Sequence, residues 1–159
     1  MIVPVGIALG SNLGDRSAEL DAGIIFLRMI ARNNKVRESP RIETLPVDCP
    51  PDSPKFLNSV AELEIDSVNL TPLNLLVCLQ EFEEERGRSP LRETNSPRPL
   101  DLDIIYYGNE RFDQMGLVIP HPRAHLRRFV LEPLSHLRPD LILPGQTKTV
   151  AEILTELRN

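Results

Sequence analysis

The chain contains no tryptophan, only two tyrosines and five phenylalanines. It therefore lacks the surface aromatics, interleaved with basic residues, on which base-stacking modules rely. An excess of positive charge is missing too: 18 Lys and Arg stand against 23 Asp and Glu, a net charge of −5, which argues against general nucleic-acid binding. The two cysteines, Cys49 and Cys78, form no Cys-x-x-Cys pair, so neither a zinc ribbon nor a disulfide framework is expected. No apolar run is long enough to cross a bilayer, and no cleavable signal is recognisable. These absences lead to the expectation of a soluble, cytoplasmic, monomeric protein without nucleic-acid or membrane partners. Its 159 residues fit one domain, 1–159, that can bury a core without covalent staples.

What is present centres on residues 96–108, SPRPLDLDIIYYG. Leu100, Leu102, Ile104 and Tyr106 alternate with Asp101, Asp103, Ile105 and Tyr107, the period of a strand with two distinct faces. Asp101 and Asp103 then point the same way, about 7 Å apart along the strand. Two carboxylates so placed repel each other and call for cations, and hard oxygen ligands suit magnesium. Arg98 precedes them, as befits a place where anionic oxygens such as phosphate meet a metal. The residues alone leave two readings open, a solvated strand face or a cation site.

The rest of the chain reads as mixed helix and strand. Residues 2–9, IVPVGIAL, form a buried strand, with Pro4 suggesting an edge or a bulge near its start. The turn GSNLGD that follows lacks the Gly-Lys-Ser/Thr ending of a phosphate-cradling Walker loop and reads as a strand-to-helix turn, with Asp15 as cap. Leu20, Ile24, Leu27 and Ala31 recur at helical spacing. Residues 35–43 return extended, and the prolines between Pro46 and Pro54 mark a surface loop. Residues 56–65, FLNSVAELEI, alternate again, with Leu57, Ser59, Ala61, Leu63 and Ile65 opposed to Asn58, Val60, Glu62 and Glu64.

Thr71-Pro72 opens a second helix, a capping hydroxyl followed by proline at the first helical position. On it Leu75, Leu76, Leu79 and Phe82 share one arc, and Glu83 falls inside that arc while Glu81, Glu84 and Glu85 do not. A carboxylate pointed inward needs a partner, for which the spacing suggests a neighbouring arginine. Gly87 ends the helix, and residues 88–97 form an arginine-bearing loop. Short strands at 111–112 and 117–119, a corner at Pro120-His121-Pro122-Arg123, and helical segments over 124–137 and 150–157 complete an α+β chain. On the residues alone His121 caps or packs, and Phe56 and Phe129 are core.

With these motifs in this order, the sequence resembles the hydroxymethyl-dihydropterin pyrophosphokinases. The resemblance rests on GSNLGD after the first strand, Phe56-Leu57-Asn58 after the proline loop, Phe82-Glu83 with Gly87-Arg88, Pro97-Arg98-Pro99-Leu100-Asp101-Leu102-Asp103, and Pro120-His121 with Arg127, Phe129 and Leu131. It implies a ferredoxin-like fold, a largely antiparallel sheet with helices packed on it. The implied activity is transfer of pyrophosphate from ATP to the hydroxymethyl group of a reduced pterin, with release of AMP, in folate biosynthesis. Two magnesium ions would sit on Asp101 and Asp103. Arg98, Arg88 and Arg92 would neutralise the transferred group from the loop side, and Arg127 from the other. Gln80, Glu83, Ile104 and His121 match nucleotide-binding positions. Phe56 and Phe129 would stack the pterin, Asn58 and Thr44 would bond its edge, and Leu45, Val47 and Asp101 would complete its site.

The sequence departs from the family pattern in places. Asn95-Ser96 stand where Trp-Gly is common, Pro90 where a second loop arginine is often found, Pro122 in place of an aromatic and Val118 in place of a hydroxyl residue. These losses keep open a rival reading, a non-catalytic descendant that binds nucleotide or pterin. A nucleotidyltransferase, which pairs Gly-Ser with Asp-x-Asp at short range, is disfavoured by the ninety positions between Ser11 and Asp101.

Overall fold

A computed structural model describes residues 1–46, 52–87 and 97–157. Its central strand is β1 (Ile2–Ser11), antiparallel to β4 (Phe56–Asp66) on one side and to β5 (Asp101–Tyr107) on the other. β2 (Val36–Glu38) and β3 (Ile42–Thr44) both pair antiparallel with β4, completing the sheet. A separate hairpin joins β6 (Phe112–Gln114) to β7 (Leu117–Ile119). The expected α+β, ferredoxin-like, antiparallel architecture is what the chain adopts.

Among the described residues four α-helices cover the two faces of the sheet. α1 (Arg16–Ile30) starts where the Asp15 carboxylate accepts from Ala18 N at 3.1 Å, and α2 (Pro72–Glu85) where the Thr71 hydroxyl accepts from Asn74 N at 3.3 Å. Leu20, Ile24 and Leu27 of α1 and Leu75 and Leu79 of α2 pack on Val5, Ile7 and Leu9 of β1 and on Leu102 and Ile104 of β5. α3 (Arg128–Leu137) and α4 (Val150–Glu156) lie with the opposite core, around Val60, Ile105 and Tyr106. α4 opens with a reciprocal cap in which Thr149 and Glu152 satisfy each other's backbone amides.

Two details differ from the sequence reading. β1 is not an edge strand. Pro4 lies one residue before Val5, the first residue of β1 to pair with β5, and the irregularity lies further on, between Gly6 and Ile7. That bulge also breaks the alternation of β5: Ile104 lies opposite Ile7 and Tyr106 opposite Gly6, leaving Ile105 as the extra residue. Tyr106 is thereby turned to the face that carries the aspartates, while Tyr107, opposite Val5, enters the other core.

The bulge places the Tyr106 ring over Gly6, where an added Cβ would lie 2.2 Å from a ring carbon. Its hydroxyl donates to Glu62, which also accepts from Arg138 at 2.5 Å and Arg37 at 2.9 Å. Burial and the neighbouring carboxylate push the Tyr106 hydroxyl well above its ordinary range, so it remains a donor. Burial also disfavours charge on Glu62, but Tyr106, Arg37 and Arg138 together hold its carboxyl below the usual range. The network ties the end of α3 to the sheet. Gly6→Ala is expected to destabilise the fold by about 1–3 kcal/mol in urea unfolding. The loss should be smaller in a Tyr106→Ala background, and equal losses in both backgrounds would contradict the steric account.

Candidate active site

The register of the sheet builds the site. Gly10 of β1 lies opposite both Asn58 of β4 and Asp101 of β5, and Ala8 lies opposite both Val60 and Asp103. Directly paired residues share a face, so Asn58, Asp101 and Asp103 all project from the same side. Small residues on β1 leave a trough between them. At Gly10 an added Cβ would sit 2.9 Å from Asn58 Oδ1 and 3.4 Å from the Phe56 ring, so only glycine fits without displacing the pocket wall.

A cleft of about 270 Å³ opens over this trough. Its floor is Ala8 and Gly10, and Thr44, Leu45, Phe56, Asn58 and Phe129 line it together with Arg98, Asp101, Asp103, His121, Arg123 and Arg127. Asn58 is buried and its Nδ2 donates to the Thr44 hydroxyl, which fixes the amide's orientation. Phe56 is also buried, with the Arg98 guanidinium 5.0 Å above its ring, and Arg127 lies 5.4 Å over Phe129. Arg98 Nε donates to Asp101 Oδ2 at 2.8 Å, and this pair is mostly shielded from solvent. The bond lowers the repulsion between the two aspartates, and Asp103 is the more exposed of them.

The segment carrying Arg98 is held by Asn12, a buried residue of the GSNLGD turn. Asn12 N donates to the Arg98 carbonyl at 3.2 Å, Asn12 Oδ1 accepts from Arg98 N at 2.9 Å, and Asn12 Nδ2 donates to the Pro54 carbonyl at 3.4 Å. One side chain thus links the approaches to β4 and β5. Glu83, 7% exposed on α2, accepts from Leu102 N at 2.7 Å. β5 ends the strand order, so this carboxylate satisfies a backbone donor on the aspartate strand, a bond typically worth about 1.5–3 kcal/mol.

His121 is held on both sides by backbone. Its amide donates to the Ile105 carbonyl at 2.9 Å, and its Nδ1 accepts from Arg123 N at 3.2 Å, which in the neutral ring leaves the proton on Nε2. Burial, then the positive charges of Arg127 and Arg123, lower its pKa to about 4. The ring is therefore a neutral donor at physiological pH.

Residues 6–139 match the family described as 7,8-dihydro-6-hydroxymethylpterin-pyrophosphokinase (HPPK). The chain belongs to this family. It is 40% identical over 151 residues to the 2-amino-4-hydroxy-6-hydroxymethyldihydropteridine pyrophosphokinase of Haemophilus influenzae, covering 95% of this chain and 88% of that protein. Identity to the Pseudomonas aeruginosa protein of the same name is 41% over 145 residues, covering 91% and 86%. Among solved structures, the wild-type HPPK-DHPS of Plasmodium falciparum superposes with a TM-score of 0.76 at 13% identity. This match covers 98% of the present chain and 44% of that one, and at such low identity it speaks for the fold.

Of the residues that the sequence singles out, the structure brings Thr44, Leu45, Phe56, Asn58, Arg98, Asp101, Asp103, His121, Arg127 and Phe129 to the one cleft. Three do not line it. Gln80 is exposed on α2, Glu83 is turned to the backbone of β5, and Ile104 is buried in the core on the other face of the sheet. Val47, Arg88 and Arg92, with the departures Pro90, Asn95 and Ser96, lie outside the described residues. Gly10 and Asn12 lie in the GSNLGD motif, but their part in the site, like that of Ala8 and Arg123, is not among the roles read from the sequence. The signal for the HPPK trough is the size alternation of β1, with large Val5, Ile7 and Leu9 set against small Gly6, Ala8 and Gly10.

Because the folded pKa of His121 lies below the unfolded value near 6.5, the unfolded chain binds the proton first as pH falls. His121 therefore removes stability between about pH 6.5 and about pH 4. The ring resonances followed by NMR should titrate near 4, and His121→Gln should flatten that part of the stability profile. A midpoint near 6.5 would contradict the burial argument.

Proposed function

We propose that this chain transfers the pyrophosphoryl group of ATP to the hydroxymethyl oxygen of 6-hydroxymethyl-7,8-dihydropterin, releasing AMP, as a step in folate synthesis. The observation that carries the reading is the shared face of Asn58, Asp101 and Asp103, in one cleft with Phe56, Phe129, Arg98 and Arg127. A pterin is flat, with hydrogen-bonding groups along one edge. Two aromatic rings and an amide oriented by Thr44 suit such a ring. Asp101 shares the cross-strand row of Asn58 and Asp103 lies in the next row on that face, which brings the hydroxymethyl arm toward the phosphates.

The donor set fits magnesium. Two carboxylates from one strand face are hard ligands, and among the described residues no cluster of three or more His, Cys, Asp or Glu exists that would encage a metal. A cation on Asp101 and Asp103 keeps coordination positions for water and phosphate oxygens, as magnesium requires, and two such ions suit a triphosphate. When bound, magnesium offsets charge on the oxygens between which the pyrophosphoryl group moves. In that transfer a bond forms from the pterin oxygen to the β-phosphorus and the bond from the β-phosphorus to the bridging oxygen of AMP breaks.

The protein's own part is positioning and charge. Arg98, over Phe56, and Arg127, over Phe129, neutralise the transferred group. His121 donates through Nε2 without adding charge. Phe56, Phe129 and Asn58 orient the acceptor so that its oxygen faces the β-phosphorus in line.

The purified protein should form AMP from ATP and magnesium only when 6-hydroxymethyl-7,8-dihydropterin is present. AMP without pterin, or none with it, would contradict the reading. Asp103→Asn should lower turnover by a factor on the order of 10²–10³. Its melting temperature should stay close to that of the wild type, because the amide keeps the shape of the side chain and a like charge is removed beside Asp101. Loss of folding in this variant would instead assign the carboxylate to structure.

A further inference from the structure

We infer that Arg123, which lines the cleft next to His121, is a further nucleotide-binding residue, whose guanidinium engages the phosphate oxygens of a nucleoside triphosphate in this cleft. The inference rests on the proposed function and adds a residue to it.

Among the described residues three arginines line the cleft, and they differ in what occupies them. Arg98 is bonded to Asp101 and lies on Phe56, and Arg127 lies over Phe129. Arg123 lines the same cleft, yet among the described residues its guanidinium has neither an ion-pair partner nor an aromatic ring beneath it. Its backbone, by contrast, is fixed. Its amide donates to His121 Nδ1 at 3.2 Å and its carbonyl accepts from Leu126 N at 2.9 Å. A cation on a fixed stem, with its charge unspent and directed over a cleft that holds two carboxylates, is arranged for an anionic ligand.

Charge makes the same point. His121 is neutral, so the positive charge facing the two aspartates comes from arginines alone. Arg98 shares its charge with Asp101, so Arg123 adds to Arg98 and Arg127 in meeting the charge that a triphosphate brings beyond what divalent ions offset. The planar guanidinium can take two phosphate oxygens at once, which an ammonium cannot. Nothing in the reacting geometry requires Arg123 at the β-phosphorus. Its contribution is to hold the nucleotide in the ground state and the transition state alike, which appears in KM rather than kcat.

The test measures affinity and turnover in the same variants. Binding of α,β-methylene-ATP with magnesium is followed by calorimetry for wild type, Arg123→Gln and Arg123→Lys, and AMP formation is followed against ATP concentration. Arg123→Gln should weaken analogue binding about tenfold and raise KM for ATP to match, with kcat changed by less than about twofold and pterin affinity unchanged. Arg123→Lys should fall between the two. Because Arg123 is exposed, melting temperatures should agree. Unchanged analogue affinity in Arg123→Gln would overturn the inference while leaving the pyrophosphokinase reading intact. Wild-type protein that binds the analogue but makes no AMP would overturn that reading, and the affinity difference would still decide the role of Arg123. Wild-type protein that does not bind the analogue would overturn both.

Discussion

The site depends on one steric constraint, the small residues along one face of the central strand. Gly6, Ala8 and Gly10 project toward α3 and α4, while Val5, Ile7 and Leu9 fill the opposite core. Each small residue is flanked by a pair from the neighbouring strands: Glu62 and Tyr106 at Gly6, Val60 and Asp103 at Ala8, Asn58 and Asp101 at Gly10. At Gly6 the trough is filled by the tyrosine ring and closed by the Glu62 network. At Ala8 and Gly10 it stays open and becomes the cleft. One strand therefore serves both as the hydrophobic centre of the sheet and as the floor of the site.

On this floor the electrostatics are graded. Two like charges on one strand face are unfavourable alone, and Arg98 eases this by bonding the more shielded of the two, Asp101. The aspartate strand is itself steadied at its outer edge by Glu83, and the Arg98 segment by two hydrogen bonds of Asn12, whose third ties it to Pro54. Those supports matter because the functional groups come from separated parts of the chain, and an error of an ångström between them would undo in-line transfer. His121 contributes in the opposite sense. Burial beside two arginines keeps it uncharged, so it adds no positive charge that would compete with cations for the acids.

Much of this was legible in the sequence, for physical reasons that differ from element to element. The strand period of residues 100–104 and 56–65 put the aspartates on one face and Asn58 opposite Leu57 and Leu63, because a period of two leaves little freedom once one face is buried. Helix starts at Asp15 and Thr71 were readable because capping is local chemistry. The bulge at Ile105 was not, since it arises from the pairing of β5 with β1 and carries no residue signature of its own. Glu83 was readable as an inward carboxylate, but its backbone partner on a strand, nineteen positions beyond, was not, because a 3.6-residue period says which way a side chain points and nothing about what it meets. Asn12 was hidden for the same reason: its role is long-range, and in sequence it looks like one more turn residue.

The central claim is that the register of β1 brings Asp101 and Asp103 together as one cation-holding pair beside the aromatic and amide end of the same cleft. A crystal structure with magnesium, α,β-methylene-ATP and 6-hydroxymethylpterin tests it most directly. The account predicts magnesium about 2.0–2.1 Å from carboxylate oxygens of both aspartates, with the pterin between Phe56 and Phe129 and its edge on Asn58. Magnesium bound without either aspartate, or a pterin seated away from Asn58, would contradict it.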